Sequence, residues 1–343
     1  MAKKKTKRSR SSVPVKDGTL QEVANAAGVS SATVSRFFNS PQMLSEKTAQ
    51  RIREAVQSLH YVPNLVAGGL ASNRTRLVAA VIPTIAQSIF SSTIQALTDT
   101  LAAGGYSVML ALTGASDEHV DRQLLSIIGR RPDGIILTGP TLQSNARAQL
   151  KSTGITTIET WHLPADPIDL VVGFSHDEVG KVIGQHVLSR GRRRAFLISA
   201  TGMRALARRY SFSRTMLEAG APEPMVATFE GPTTYAHGRT AVARHLDSGA
   251  KPDVIVCSSD WSAHGALDEL RRRQLRVPQD VAVVGFGDLD FASELEPSLT
   301  TVKVDGSVIG NQAAEFLMLR AQSKPIKKPV VDIGFSLIAR DSS

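Results

Sequence analysis

From Leu77 onward, short apolar runs recur between stretches of helical periodicity: LVAAVIP, SVMLAL, GIILTG and TTIET, then AFLIS, VATF, VIVCSS, VAVVGF and TTVKV. Runs of this length, rich in β-branched residues, fit strands buried on both faces. Strands alternating with helices mean a parallel sheet covered by helices on each side. The runs are too many for one sheet of ordinary size, so the pattern predicts an α/β body of two similar doubly wound lobes. Ligands in such folds bind beyond the carboxyl ends of the strands.

The first fifth of the chain has a different character. Residues 1–76 hold 13 Lys and Arg against 4 Asp and Glu, which is the whole of the formal net charge of +9; the remainder balances 27 against 27. A basic segment joined to a neutral body is the electrostatic footprint of phosphate-backbone binding. Residues 1–17 read as a basic, disordered tail.

Within that segment TLQEVANAAGVSSATVSRFFN, residues 19–39, has the form of two helices joined by a tight turn. Thr19 followed by Glu22 is a capping-box pattern, and Leu20, Val23, Ala24 and Ala27 recur at helical spacing. Gly28 permits the reversal, Val29 plugs the angle, and Ser30 caps a second helix running from Ser31 to about Asn39. This is a helix-turn-helix pattern. With Val34 and Phe37 turned inward, Ser31, Ala32, Ser35 and Arg36 share the outward face, which suits entry into a major groove. Small residues admit close approach, alanine meets a thymine methyl, and arginine reads guanine. Ser30 and the helix N-terminus suit a phosphate. A third helix is predicted from Ser45, with Ala49, Ile52, Val56 and Leu59 facing the core and Pro63 marking its end.

These residues, with YVPNLVAGGLAS after them, resemble the N-terminal headpiece of the lactose/galactose repressor (LacI/GalR) family of bacterial transcription factors. The match joins a helix-turn-helix to a Y-x-P-N-x-x-A-x-x-L linker. The resemblance implies that the DNA-contacting residues are Thr19, Ser30, Ser31, Ala32, Thr33, Ser35, Arg36 and Asn39 in the headpiece, with Asn64, Ala67 and Leu70 in a hinge that folds on the operator. Leu70 would wedge between base pairs from the minor groove. Gly68 and Gly69 depart from a good helix former, each disfavouring helix by about 1 kcal/mol, so the hinge is expected to order only on DNA. The domains follow: tail 1–17, helix-turn-helix domain 18–62, hinge linker 63–75, and a two-lobe effector-binding and dimerisation domain 76–343.

The resemblance continues through the body and implies a periplasmic-binding-protein-like core closing over a small molecule. Matched stretch by stretch, it points to Ile89 and Phe90 after the first strand, Glu159 and Trp161 after TTI, Arg208 in ALARRYSF, Ser259 and Asp260 in CSSDWSAHGAL, and Asp288 in VVGFGDLD. Ser259 stands where the family commonly has Asn, and Gly287 takes the place of the usual aspartate. Arg209 leaves the arginine register open by one residue. Trp161 has the alternative of being core, Arg208 of a surface ion pair, and Asp288 of a helix cap. A cation in the cleft suits a carboxylate or phosphate. The wording ETWHLPADPIDLVVGFSHDEVG and GFGD is similar to gluconate-operon repressors, which makes a sugar acid the first expected effector, ahead of a neutral sugar or a sugar phosphate.

Other classes lack their residues. GFSHD imitates G-x-S-x-G without the second glycine, GFGDLD lacks the third glycine of a dinucleotide fingerprint, and no G-x-x-x-x-G-K-[ST] occurs. The eight histidines have no metal-ligand spacing. A sugar-modifying enzyme would need such machinery, and a solute-binding receptor would need an export signal, whereas the basic start has no apolar segment after it. Cys257, in VIVCSS, reads as a buried strand residue. No run of about 18 apolar residues occurs. The expectation is a cytoplasmic homodimer without cofactor or metal, partnered by double-stranded operator DNA and a small-molecule effector.

Overall fold

The computed structural model describes residues 18–63, 74–86, 88–113, 117–138 and 144–343. The chain divides into two compact units between Asn73 and Arg74.

The first unit is a three-helix domain: α1 (Leu20–Ala27), α2 (Ser31–Asn39) and α3 (Glu46–Ser58). The Thr19 hydroxyl accepts from the Glu22 N–H at 3.2 Å, and the Glu22 carboxylate accepts from the Thr19 N–H at 2.7 Å. Reciprocal capping satisfies two donors that a helix start otherwise leaves open. Gly28 ends α1 at φ 62°, where an L side chain is strained, and a Cβ there would also lie 2.5 Å from the Arg51 guanidinium. Val23, Ala24, Ala27, Val34, Ile52 and Ala55 form the core, with Leu20, Val29, Phe37, Val56 and Leu59 packed around it. The third helix stops earlier than Pro63 implies. His60 adopts φ 47° and the Tyr61 N–H returns to Val56 O, so the chain has left the helix before the proline.

In the second unit, one sheet has strand order β11-β5-β4-β3-β1-β2, built from β1 (Leu77–Ile82), β2 (Ser107–Leu112), β3 (Gly134–Leu137), β4 (Thr156–Thr160), β5 (Leu170–Gly173) and β11 (Val330–Asp332). The other has order β7-β6-β8-β9, from β6 (Ala195–Ala200), β7 (Met225–Phe229), β8 (Val254–Cys257) and β9 (Ala282–Val284). Every pairing in both sheets is parallel. Along β1, Val78 and Ala80 belong to one apolar cluster and Ala79 and Val81 to another, so both faces are buried. Leu197 and Phe196 of β6 divide the same way. Each fully buried Leu, Ile or Val contributes about 1.5–3 kcal/mol, which is why runs without polar alternation settle here.

Helices α4 (Ser91–Ala103), α5 (Asp117–Gly129), α6 (Ser144–Thr153), α7 (His176–Ser189), α8 (Met203–Glu218), α9 (Tyr235–Asp247), α10 (Asp260–Arg272) and α11 (Gly306–Ala321) cover the sheets. α4 packs on α11, α7 on α8, and α9 on α10. At the α7–α8 crossing, a Cβ on Gly180 would sit 2.1 Å from Arg208 O, so only glycine lets α8 approach this closely. The lobes are discontinuous in sequence. The chain leaves the first lobe after β5 and returns through β10 (Thr301–Lys303) to build α11 and β11. It then leaves again through β12 (Ser336–Ile338), which pairs antiparallel with β10. Strands β5, β11 and β12 were not among the runs expected as strands; they are short, and their identity comes from their neighbours. Cys257 closes β8, buried, and burial pushes its thiol up, so it acts as a packing group. Among the described residues no helix is long and apolar enough to cross a membrane.

Candidate functional site

The outward face of α2 is built by its own cap. Ser30 is extended and its hydroxyl accepts from the Thr33 N–H at 3.2 Å, so the helix starts abruptly with its remaining N–H groups facing outward. Val34 is fully buried and Phe37 joins the core, which leaves Ala32 and Arg36 exposed and Ser31 and Ser35 half-exposed on the other side. Ser31 donates to Gln21 Oε1 at 2.7 Å, tying the two helices together, and Asn39 donates to Ser35 O at 2.9 Å. Thr19 and Ser30 act as caps, and the Thr33 hydroxyl lies 2.9 Å from that of Ser30. Among the described residues nothing bonds the Arg36 side chain. The hinge candidates Asn64, Ala67 and Leu70, with Gly68 and Gly69, lie outside the described residues.

In the two-lobed unit, Arg208 of α8 points inward and Arg209 stacks against Tyr210, 5.1 Å from its ring centre, so of the two arginines Arg208 is the inward-facing one. The Arg208 guanidinium lies 3.9 Å from the Phe286 ring centre, donates to His176 Nδ1 at 3.0 Å, and reaches Ser258 O at 3.4 Å. Because arginine only donates, His176 Nδ1 accepts and the ring hydrogen sits on Nε2, which donates to Trp161 O at 2.9 Å. Burial, and next the positive Arg208, hold His176 well below its usual value, so it is a neutral prop for the guanidinium. Arg204, one turn earlier on α8, donates across the lobes to Thr160 O at 3.2 Å. Desolvation lowers Arg208 to about 9 and Arg204 to about 10, and the neighbouring Arg204 charge adds to the shift at Arg208. Both stay cationic at neutral pH. Among the described residues no carboxylate lies within ion-pair distance of Arg208, so the surface-ion-pair alternative does not describe it. Beside α8 a cavity of about 30 Å³, lined by Ser199, Arg208, Ser258 and Phe286, has room for about one water.

Several residues expected in the cleft make extensive contacts within the protein. Trp161 is 2% exposed, adopts φ 68°, donates to Thr93 Oγ1 at 3.1 Å, and is packed edge-on by Phe90 and Phe174. Neither indole face is open for a sugar, and Phe90 is core with it. Glu159 is buried, with one oxygen on Arg147 at 3.0 Å and the other on the Ile168 N–H at 2.7 Å, so it braces the first lobe. Ser259 caps α10 by accepting from the Ser262 N–H. Asp260 is fully buried and accepts from the Thr301 hydroxyl at 2.6 Å and the Leu289 N–H at 2.8 Å, fixing the loop after Phe286 to β10. Burial raises its carboxyl to about 6. Asp288, at φ 47°, pairs with Arg340 at 2.6 Å and with Lys303 at 3.7 Å, which ties that loop to both β10 and the segment after β12. It is not a helix cap. Ile89 remains half-buried opposite Gly287, whose Cβ position is 3.5 Å from Ile89 Cδ1.

His176, Arg204 and Phe286 were not singled out from the sequence. Arg204 was accessible to it, since it stands at i−4 from Arg208 and therefore shares its helix face. Among the described residues no group of three or more His, Cys, Asp or Glu could hold a metal ion.

Comparison with known proteins agrees with both parts of this geometry. Residues 19–64 match the model of bacterial regulatory proteins of the lacI family, and residues 185–343 match a periplasmic binding protein-like domain. The chain is 32% identical over 327 residues to the HTH-type transcriptional regulator GntR of Pseudomonas aeruginosa, covering 95% of each chain. It is 28% identical to GntR of Escherichia coli over 93% of its own length and 96% of that protein's. A LacI-family regulator from Silicibacter pomeroyi superposes with a TM-score of 0.87 at 28% identity, covering 95% of this chain and 99% of that one. The lac repressor dimer bound to operator and an anti-inducer gives 0.83 at 25% identity, covering 95% and 99%.

Proposed function

The chain belongs to the LacI family of bacterial regulatory proteins and is a sequence-specific DNA-binding transcriptional regulator, and from that premise we propose that it is a dimeric repressor whose operator affinity is set by a sugar acid such as gluconate. Residues 18–62 read the operator, residues 63–75 are the hinge, and residues 76–343 bind effector and dimerise. The basic residues 1–17 add sequence-independent attraction. On α2, Arg36 and Ala32 face base edges while Ser30 and the helix start face phosphate. Two headpieces on a palindromic site supply the specific contact that one lacks.

The observation that carries the effector class is Arg208: an inward-facing guanidinium, stacked on Phe286 and steered by a neutral histidine, with no carboxylate of the described residues beside it. Such a group is arranged to receive an anion through charge-assisted hydrogen bonds. The GntR names of the relatives support gluconate as the first anion to try. The test is an operator-release titration. DNA selected by the full chain from a random pool is labelled, and its anisotropy is followed as D-gluconate or neutral D-glucose is added. Gluconate should shift the binding curve and glucose should not; equal action by glucose, or none by any sugar acid, would overturn the reading.

A further inference from the structure

His162, just past the end of β4, has charged groups from three elements around it. Its Nδ1 lies 3.2 Å from Thr160 O, which can only accept, so Nδ1 carries the hydrogen and the ring's lone pair is on Nε2. Nε2 is 4.0 Å from Glu159 Oε1 on β4. Arg147 of α6 bonds that same Glu159 oxygen. From the other lobe, Arg204 of α8 donates to the same Thr160 carbonyl that His162 uses, which brings its charge near enough to act on the imidazole. His176 and Arg208 are close enough to Arg204 for the three groups to act electrostatically on one another.

The two histidines differ in what they can still do. Both nitrogens of His176 are engaged, one accepting from Arg208 and one donating to Trp161 O, so it cannot gain a proton without releasing the arginine. His162 has its second nitrogen facing a carboxylate and its side chain 24% exposed, so solvent protons reach it. Burial and then Arg204 hold it below its usual value, with Arg147 acting the same way and Thr160 and Glu159 opposing. An anion beside Arg204 acts on the imidazole with the opposite sign to Arg204 itself.

We infer that His162 is a further residue of the effector site, where an anionic effector settling beside Arg204 and Arg208 binds together with a proton that Nε2 of His162 takes from solvent. This rests on the cleft being the anionic effector site proposed above. The proton comes from water or buffer, no bond other than N–H forms, and the resulting imidazolium lies between Glu159 and the incoming charge. A carboxylate effector titrates near about 4 and does not itself exchange protons at neutral pH. Affinity should therefore rise as pH falls from 8 to 6, with a slope between zero and one proton.

The experiment is calorimetric titration of the full chain with D-gluconate at pH 7 in Hepes and in Tris, whose ionisation enthalpies differ, on wild type and His162→Gln. Wild type should take up roughly 0.3–1 proton per gluconate, and His162→Gln should bind gluconate with uptake near zero and a pH-flat Kd. If wild type binds gluconate with no proton uptake, or the variant retains the full uptake, the inference fails while the effector reading stands. Absence of binding heat from gluconate and from 6-phosphogluconate overturns both. Should His162→Gln not fold, the wild-type Kd at pH 6 and pH 8 decides the matter: a several-fold tighter value at pH 6 is expected, and equal values refute it.

Discussion

Replacing Arg208 by methionine should separate effector binding from DNA binding. The methionine side chain keeps much of the stem that packs on Phe286 but loses the charge and the donors to His176 and Ser258 O. Loss of the stacking contact costs about 0.5–2 kcal/mol and loss of the histidine bond about 1 kcal/mol. Against this, the variant no longer holds a desolvated cation beside Arg204, a penalty of several kcal/mol. The two sides nearly cancel, so the urea midpoint should move little in either direction. Effector binding has no such offset. A hydrogen bond to a charged group contributes about 1.5–3 kcal/mol, which at about 1.4 kcal/mol per decade is a loss of roughly 10- to 150-fold in gluconate affinity. The assay is calorimetric titration with gluconate beside operator anisotropy without it. A variant that still answers gluconate at wild-type concentrations, or that loses operator affinity as severely as effector affinity, would refute the assignment.

Arg36→Ala should cost about 1–3 kcal/mol of operator affinity and relax preference at one base position, measured by competition with singly substituted operators; equal weakening on random DNA would move Arg36 to a phosphate role. Gly180→Ala places a Cβ 2.1 Å from Arg208 O, and overpacking of this kind costs about 1–3 kcal/mol in a urea melt while displacing the guanidinium; unchanged stability and unchanged gluconate binding would show that the α7–α8 crossing yields freely. Asp260 is raised to about 6 by burial, so the folded state binds its proton more tightly than the unfolded chain. Wild type should thus gain stability relative to Asp260→Asn as pH falls from about 7 towards about 4.5, and parallel urea midpoints across that range would contradict it.

What could be read in advance was local. The Thr19–Glu22 box, the Gly28 reversal and the Ser30 cap act within a few residues, so their geometry follows from residue type alone. The long apolar runs of the sheets were legible because burial on both faces leaves no polar alternation. Short strands such as β11 acquire their identity from a distant neighbour, β5, more than a hundred residues earlier, and no local pattern marks them. The side-chain contacts of the candidate site depend on distant neighbours in the same way. Position along a strand placed Glu159, Trp161 and Asp288 at the ends facing the cleft, but whether each side chain turns inward depends on partners remote in sequence or on backbone sign. Trp161 is carried under Phe174 by its positive φ and bonded to Thr93, while Asp288 is claimed by Arg340. Arg208, proposed from its family stretch, turns inward beside His176 and Phe286, as its helix face allows.

A regulator whose cleft and headpiece are coupled must obey reciprocity: the factor by which effector changes operator affinity equals the factor by which operator changes effector affinity. The direct measurement is the gluconate Kd of the full chain, by calorimetry, with saturating operator DNA and without it, set beside the operator Kd with saturating gluconate and without it. The account predicts two equal ratios, each between about 5 and 150, with both collapsing towards one in Arg208→Met. Gluconate binding that is indifferent to operator, with operator binding indifferent to gluconate, would contradict it.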